Sequence, residues 1–187
     1  MVVVKRLDRL TLISGPAGGG KSRWAEHLAD LSGQPVVYCA TGPDCPDDQG
    51  WQLRLQRHRQ RRPPHWHCLE TGGALCEALA NLGVGELALV DSLGTWVASH
   101  LERDQEAWTG LVLALLAVLA RPGAPVLMVA EECGWGVVPP TAAGLRFRER
   151  LAAVQKMLSE RSSSSWLVLQ GRALDLHQLG LPVPPET

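Results

Sequence analysis

Short, mainly apolar runs alternate along the chain with longer stretches in which apolar residues recur every three or four positions. Residues 10–14 form the first run and stop at a glycine-rich stretch, after which residues 21–31 space Trp24, Leu28 and Leu31 as a helix does. The predicted order is strand, loop, helix. Residues 35–40 (PVVYCA), 87–90 (LALV), 126–130 (VLMVA) and 166–169 (WLVL) read as further buried strands, the LALV run closing on Asp91 and VLMVA on Glu131 and Glu132. Helical spacing covers residues 51–61, 108–119 and 145–158. Pro63 and Pro64 end the first of these, because proline has no amide donor and disfavours helix in the residue before it. The Pro/Asp/Gly-rich segment 41–50 and the serine run 162–165 are predicted loops. Strands alternating with helices in this way predict βαβ units, hence an α/β fold whose mostly parallel sheet carries helices on both faces.

A chain of 187 residues predicts a single domain, taken as residues 1–180, with residues 181–187 and their three prolines as a disordered tail. With 45% hydrophobic residues it can bury a core, and a formal net charge of -1 argues against a general nucleic-acid binder. Any anion site must be local. Five cysteines with no CxxC pair predict a reducing compartment. Lys5, Arg6, Asp8 and Arg9 interrupt the start where a signal peptide would be apolar, and no run reaches the eighteen or so residues of a membrane span. A soluble, cytoplasmic chain is expected.

Residues 15–22, GPAGGGKS, fit the phosphate-loop pattern GxxxxGK[ST] between a predicted strand and a predicted helix. Glycines let backbone amides turn inward on phosphate oxygens, and the helix N-terminus adds partial positive charge. Lys21 would neutralise the β- and γ-phosphates and Ser22 would ligate Mg²⁺. Asp91, ending a strand, is the candidate second ligand of Mg²⁺, or else a cap for the helix after it.

Residues 54–67 (RLQRHRQRRPPHWH) gather five arginines and three histidines. On a helix Arg54, Arg57, His58 and Arg61 share a face while Leu55 and Arg59 point elsewhere. Two readings of His58 stay open: a histidine on a solvated arginine face, or an imidazole kept neutral by neighbouring charge and acting as a nucleophile towards a nucleoside triphosphate. His65, His67 and Cys68 have the chemistry of metal ligands but no evident fourth partner.

GPAGGGKSRWAEHLA, VVYCAT, RLQRHRQRRPPHW, VDSLGTWVASHL, EECGWGVVP with RFRERLAAVQK after it, and WLVLQG follow one another in an order and spacing that resemble the bifunctional adenosylcobinamide kinase / adenosylcobinamide-phosphate guanylyltransferase family of cobalamin biosynthesis. The resemblance implies a P-loop, RecA-like domain forming a homotrimer. It implies phosphorylation of adenosylcobinamide by a nucleoside triphosphate, GTP or ATP, then transfer of GMP from GTP through a guanylyl-histidine to give adenosylcobinamide-GDP. His58 matches the family's nucleophile and, with Lys21, forms the catalytic pair. The nucleotide-binding set is Gly15, Pro16, Ala17, Gly18, Gly19, Gly20, Lys21, Ser22, Arg54, Arg57, Arg61, Arg62, Glu70 and Asp91, with Ser22 and Asp91 on Mg²⁺. Glu132, Gly134, Gly136 and Pro139 match a segment on the substrate side.

The chain departs from the family where Pro16, Gly18 and Gly19 replace a glycine, an arginine and a serine, and where Ser99, Glu131 and Gln155 stand at asparagine positions. Two other classes fit the phosphate loop without the histidine chemistry: a kinase of another small molecule, and a non-enzymatic, nucleotide-dependent binding switch using residues 54–62 as an electrostatic patch.

Overall fold

The computed structural model describes Leu7 and residues 9–184, so Lys5, Arg6 and Asp8 at the start and residues 185–187 of the expected tail lie outside the described residues. Along the chain run β1 (Leu10–Ser14), α1 (Lys21–Ser32), β2 (Val36–Ala40), α2 (Gln49–Arg61), β3 (His67–Glu70), α3 (Leu75–Ala80) and β4 (Leu87–Asp91). They are followed by α4 (Leu93–Ser99), α5 (Gln105–Ala120), β5 (Val126–Val129), α6 (Ala142–Arg161), β6 (Ser164–Leu169), β7 (Arg172–Asp175) and α7 (Leu176–Leu179). The strands make one seven-stranded sheet in the order β3-β2-β4-β5-β1-β6-β7. All neighbours pair in parallel except β6 with β7. The α/β architecture expected from the alternation of runs is the one observed.

Both faces of the central strands are buried, which is why these strands read as unbroken apolar runs. Leu12, Cys39, Val90 and Met128 point to a layer built from α3, α4, α5 and α6, where Trp96, Leu115 and Leu151 pack. The intervening Ile13, Tyr38, Leu89 and Val129 meet Ala25, Leu28 and Ala29 of α1 on the opposite face. Placing β1 between β5 and β6 sets the glycine-rich loop that follows it over the middle of the sheet's carboxyl edge, where open α/β sheets bind ligands.

One expectation is corrected and two strands are added to those predicted. Part of the serine run is strand: Ser165 is buried, and Ser164 Oγ lies 3.2 Å from Thr11 Oγ1 on the neighbouring strand, so paired hydroxyls stand where apolar residues were sought. β7 follows as a hairpin because Gln170 (φ 51°) and Gly171 (φ 74°) take the two left-handed positions of a primed turn. β3 is the edge strand HCLE, exposed at His67, Cys68 and Glu70. Residues 181–184 carry no regular element and are exposed, and no helix among the described residues is long and apolar enough to cross a membrane.

Candidate active site

The phosphate loop joins β1 to α1, and its glycines have two distinct causes. An added Cβ on Gly15 or Gly19 would overlap the Val168 carbonyl oxygen of β6, so close approach of a neighbouring strand excludes side chains there. The loop is held from both sides: the Glu132 amide donates to the Gly15 carbonyl (2.9 Å) and the Gly171 amide to the Gly19 carbonyl (3.2 Å). Gly20, in the left-handed region (φ 105°), is the N-cap of α1. Lys21 is buried, and its Nζ donates to the Pro16 carbonyl at 2.9 Å. Ala17 and Gly18 form the exposed crest of the loop.

Asp91, at the end of β4, collects three side chains from three other elements. Tyr38 of β2 donates its hydroxyl to Oδ2 at 2.7 Å. His58 of α2 brings Nδ1 to 3.5 Å from the same oxygen, and Ser22 of α1 is also hydrogen-bonded to this carboxylate. Burial opposes ionisation of Asp91, but these hydrogen bonds from His58, Tyr38 and Ser22 and the proximity of the His58 ring outweigh it. Its pKa therefore lies below the usual carboxylate value. Burial, with the Asp91 charge behind it, pushes the Tyr38 phenol far above its ordinary range, which keeps Tyr38 a neutral donor. The Arg62 guanidinium lies 3.6 Å above the Tyr38 ring and donates to Cys68 Sγ at 2.9 Å.

The turn after Asp91 is fixed by a second acid. Ser92 caps α4 in a capping box with Thr95. Thr41 Oγ1 donates to the Ser92 carbonyl (2.6 Å) and accepts from its amide (2.8 Å). Glu131 accepts from Ser92 Oγ and, at 3.0 Å, from the Gly94 amide. The Gln155 side chain donates to the Glu131 carbonyl at 2.7 Å, so two of the departures from the family pattern touch one another. Neither Tyr38 nor Glu131 was picked out as a site residue from sequence. The signal for Tyr38 was a phenol inside an otherwise apolar strand.

Helix α2 starts two residues before the expected position because Asp48 caps it, accepting from the Trp51 amide at 2.9 Å. Its inward face is Trp51, Leu55, His58 and Arg62, which with Tyr38 and Asp91 enclose a cavity of about 40 Å³. Leu55 thus shares the face of His58, against expectation: a half-buried helix turns its leucine and its tryptophan to the sheet, and the histidine goes with them. Arg61 Nη2 lies 3.4 Å from His58 Nδ1 and 3.1 Å from Glu26 of α1. Arg59 pairs with Glu70 at 3.4 Å, both exposed. Arg57 is exposed, and the side chain of Arg54 lies outside what is described. Among the described residues no group of three or more His, Cys, Asp or Glu side chains is placed to hold a metal, and His65, His67 and Cys68 are not gathered into one.

Residues 11–176 match the family described as "CobU: Cobinamide kinase / cobinamide phosphate guanyltransferase". The chain is 31% identical over 177 residues to the "Bifunctional adenosylcobalamin biosynthesis protein CobU" of Escherichia coli (strain K12), a match covering 87% of this chain and 96% of that protein. It is 34% identical over 167 residues to the "Bifunctional adenosylcobalamin biosynthesis protein CobP" of Pseudomonas aeruginosa, covering 88% and 95%. Among solved structures, "Structural study of Project ID PH0250 from Pyrococcus horikoshii OT3" superposes with a TM-score of 0.55 at 8% identity, over 92% of this chain and 87% of that one, a likeness of fold. A family match over most of the length, with relatives above 30% identity spanning nearly all of their own chains, fixes the membership: the chain belongs to the cobinamide kinase / cobinamide phosphate guanyltransferase family.

Proposed function

We propose that the protein phosphorylates adenosylcobinamide and then transfers GMP from GTP to the resulting phosphate, with His58 as the guanylyl carrier. The observation that carries this reading is the carboxylate of Asp91, which the hydroxyl of Ser22 and the Nδ1 of His58 both approach. One anion couples the phosphate loop to the imidazole.

In the kinase step the acceptor hydroxyl attacks the γ-phosphorus, the bond to the β-bridging oxygen breaks, and the hydroxyl proton passes to solvent as the nucleoside diphosphate departs. Lys21 and the loop amides offset the charge spreading over the phosphoryl oxygens. Ser22 and Asp91 offer the hard oxygen donors that suit Mg²⁺ and would hold it, and the ion when bound neutralises charge shared by the β- and γ-phosphates.

In the transfer step Nε2 of His58 attacks the α-phosphorus of GTP and pyrophosphate leaves. A proton on Nδ1, directed at Asp91, fixes the tautomer that leaves a lone pair on Nε2, and the carboxylate steadies the positive charge the ring acquires. A phosphate oxygen of cobinamide phosphate then attacks the phosphorus. The P–N bond breaks and the imidazole is restored. In this reading Arg61 and Arg62 meet the phosphate oxygens of either partner. Assembly as a homotrimer belongs to the same proposal and is read from the mass in solution.

Incubation with Mg²⁺ and GTP labelled at the α-phosphate tests the reading. The expected result is protein-bound label that survives base, is lost in acid and is absent from His58→Ala, while that variant still phosphorylates adenosylcobinamide. GTP binding with no covalent label in the wild type would overturn the transfer half.

A further inference from the structure

Between α1 and the β6–β7 hairpin lies a cavity of about 310 Å³, at the small end of the range typical of ligand pockets. Gly19 and Gly20 of the phosphate loop form its inner end. Arg23, Trp24 and His27 line it from α1, and Arg172 lines it from β7. We infer that this cavity holds the nucleoside of the phosphoryl donor, an inference that rests on the kinase half of the reading above.

Direction along the triphosphate makes the assignment. Ser22 is bonded to Asp91, on the β4 side of the loop. A phosphate-loop serine and a strand-end aspartate would hold the cation that neutralises the β- and γ-phosphates. The γ-end of a triphosphate on this loop therefore lies towards β4, and the α-phosphate and nucleoside run the opposite way. In the sheet order the strand on that side is β6, and the cavity opens there.

The walls suit a nucleoside. No acid is among the described residues that line the cavity. Arg172 and Arg23 are exposed and bring planar guanidinium groups that stack on aromatic faces. Trp24 is partly buried against Trp166, with ring centroids 5.1 Å apart, and its indole Nε1 is buried without a hydrogen-bond partner. The Gly171 amide bonded to Gly19 makes the hairpin wall and the phosphate loop one unit.

A nucleotide in this pose turns its α-phosphorus away from His58, which stands on the β4 side beside Asp91. The phosphoryl donor and the guanylyl donor therefore bind in different poses, and the cavity serves only the former.

Arg172→Glu and His27→Ala, both at exposed positions, test this with ATP, which cannot supply GMP. The KM for ATP in phosphorylation of adenosylcobinamide, and the Kd for Mg·ATP measured calorimetrically, are expected to rise about tenfold or more in Arg172→Glu. His27→Ala should give a smaller rise, with kcat and thermal unfolding near the wild-type values. Labelling of His58 by GTP should be unchanged. An unchanged Kd for Mg·ATP in both variants, or a parallel loss of His58 labelling, would overturn the cavity assignment. Wild-type protein that binds Mg·ATP in an Arg172-dependent way but phosphorylates no cobinamide would overturn the kinase reading and leave the cavity standing.

Discussion

His58 meets Asp91 through Nδ1, 3.5 Å from Oδ2, which leaves Nε2 as the nitrogen that attacks phosphorus in the proposed transfer. In Asp91→Asn the amide can offer its NH₂ to Nδ1 and favour the tautomer with the proton on Nε2. Guanylylation of His58, followed in a single turnover with α-labelled GTP, should slow by roughly 10²–10⁴-fold, as when the orienting acid of a catalytic triad is made neutral. The kinase rate should fall as well, since the same carboxylate is the proposed oxygen donor for Mg²⁺. A variant that labels at the wild-type rate would remove Asp91 from the transfer step.

Gly19 stands where the family pattern has serine, yet a Cβ there would press on the Val168 carbonyl oxygen. Gly19→Ser should therefore cost about 1–3 kcal/mol of stability by overpacking, measured by urea unfolding. It should also raise the Kd for Mg·ATP, because the loop can relieve the overlap only by moving its amides. A variant as stable as the parent would mean that β6 yields easily at this point.

His100 uses both ring nitrogens as a neutral imidazole: Arg103 Nε donates to Nδ1 at 3.2 Å, and Nε2 lies 3.0 Å from the Gly73 carbonyl. Burial first, then the Arg103 charge, lowers its pKa despite the bond to Gly73. The unfolded chain thus binds this proton at higher pH than the folded one. The stabilisation is complete above the ordinary histidine pKa and is lost as pH falls towards the folded value. His100→Gln, which keeps a donor for Gly73, should flatten the decline in melting temperature between about pH 7 and 5. An unaltered pH profile would show that the proton is taken up elsewhere.

The central strands were legible because parallel strands buried on both faces are written as uninterrupted apolar runs. β3 and β7 were not, since an edge strand such as His67–Glu70 exposes its side chains and carries no such signal. The phosphate loop, Asp91 and His58 stand out as candidates because each obeys a local rule of motif, strand end or charge run. What stayed hidden were pairings between distant elements: Tyr38 on Asp91, Arg59 on Glu70, Arg61 on Glu26, and Glu131 on the start of α4. Leu55 was misplaced because five arginines drew the helix wheel around themselves, whereas burial of Trp51 and Leu55 sets which face turns inward.

Gly15 and Gly19 of the phosphate loop lean on Val168 and Gly171, residues far from them in sequence. During synthesis a chain that stops short of β6 has the whole motif and lacks the strand against which the loop takes its shape. Recognition of a triphosphate must then wait until β6 and the turn after it have left the ribosome. Once bound, the ligand ties two segments far apart in sequence into one cooperative unit.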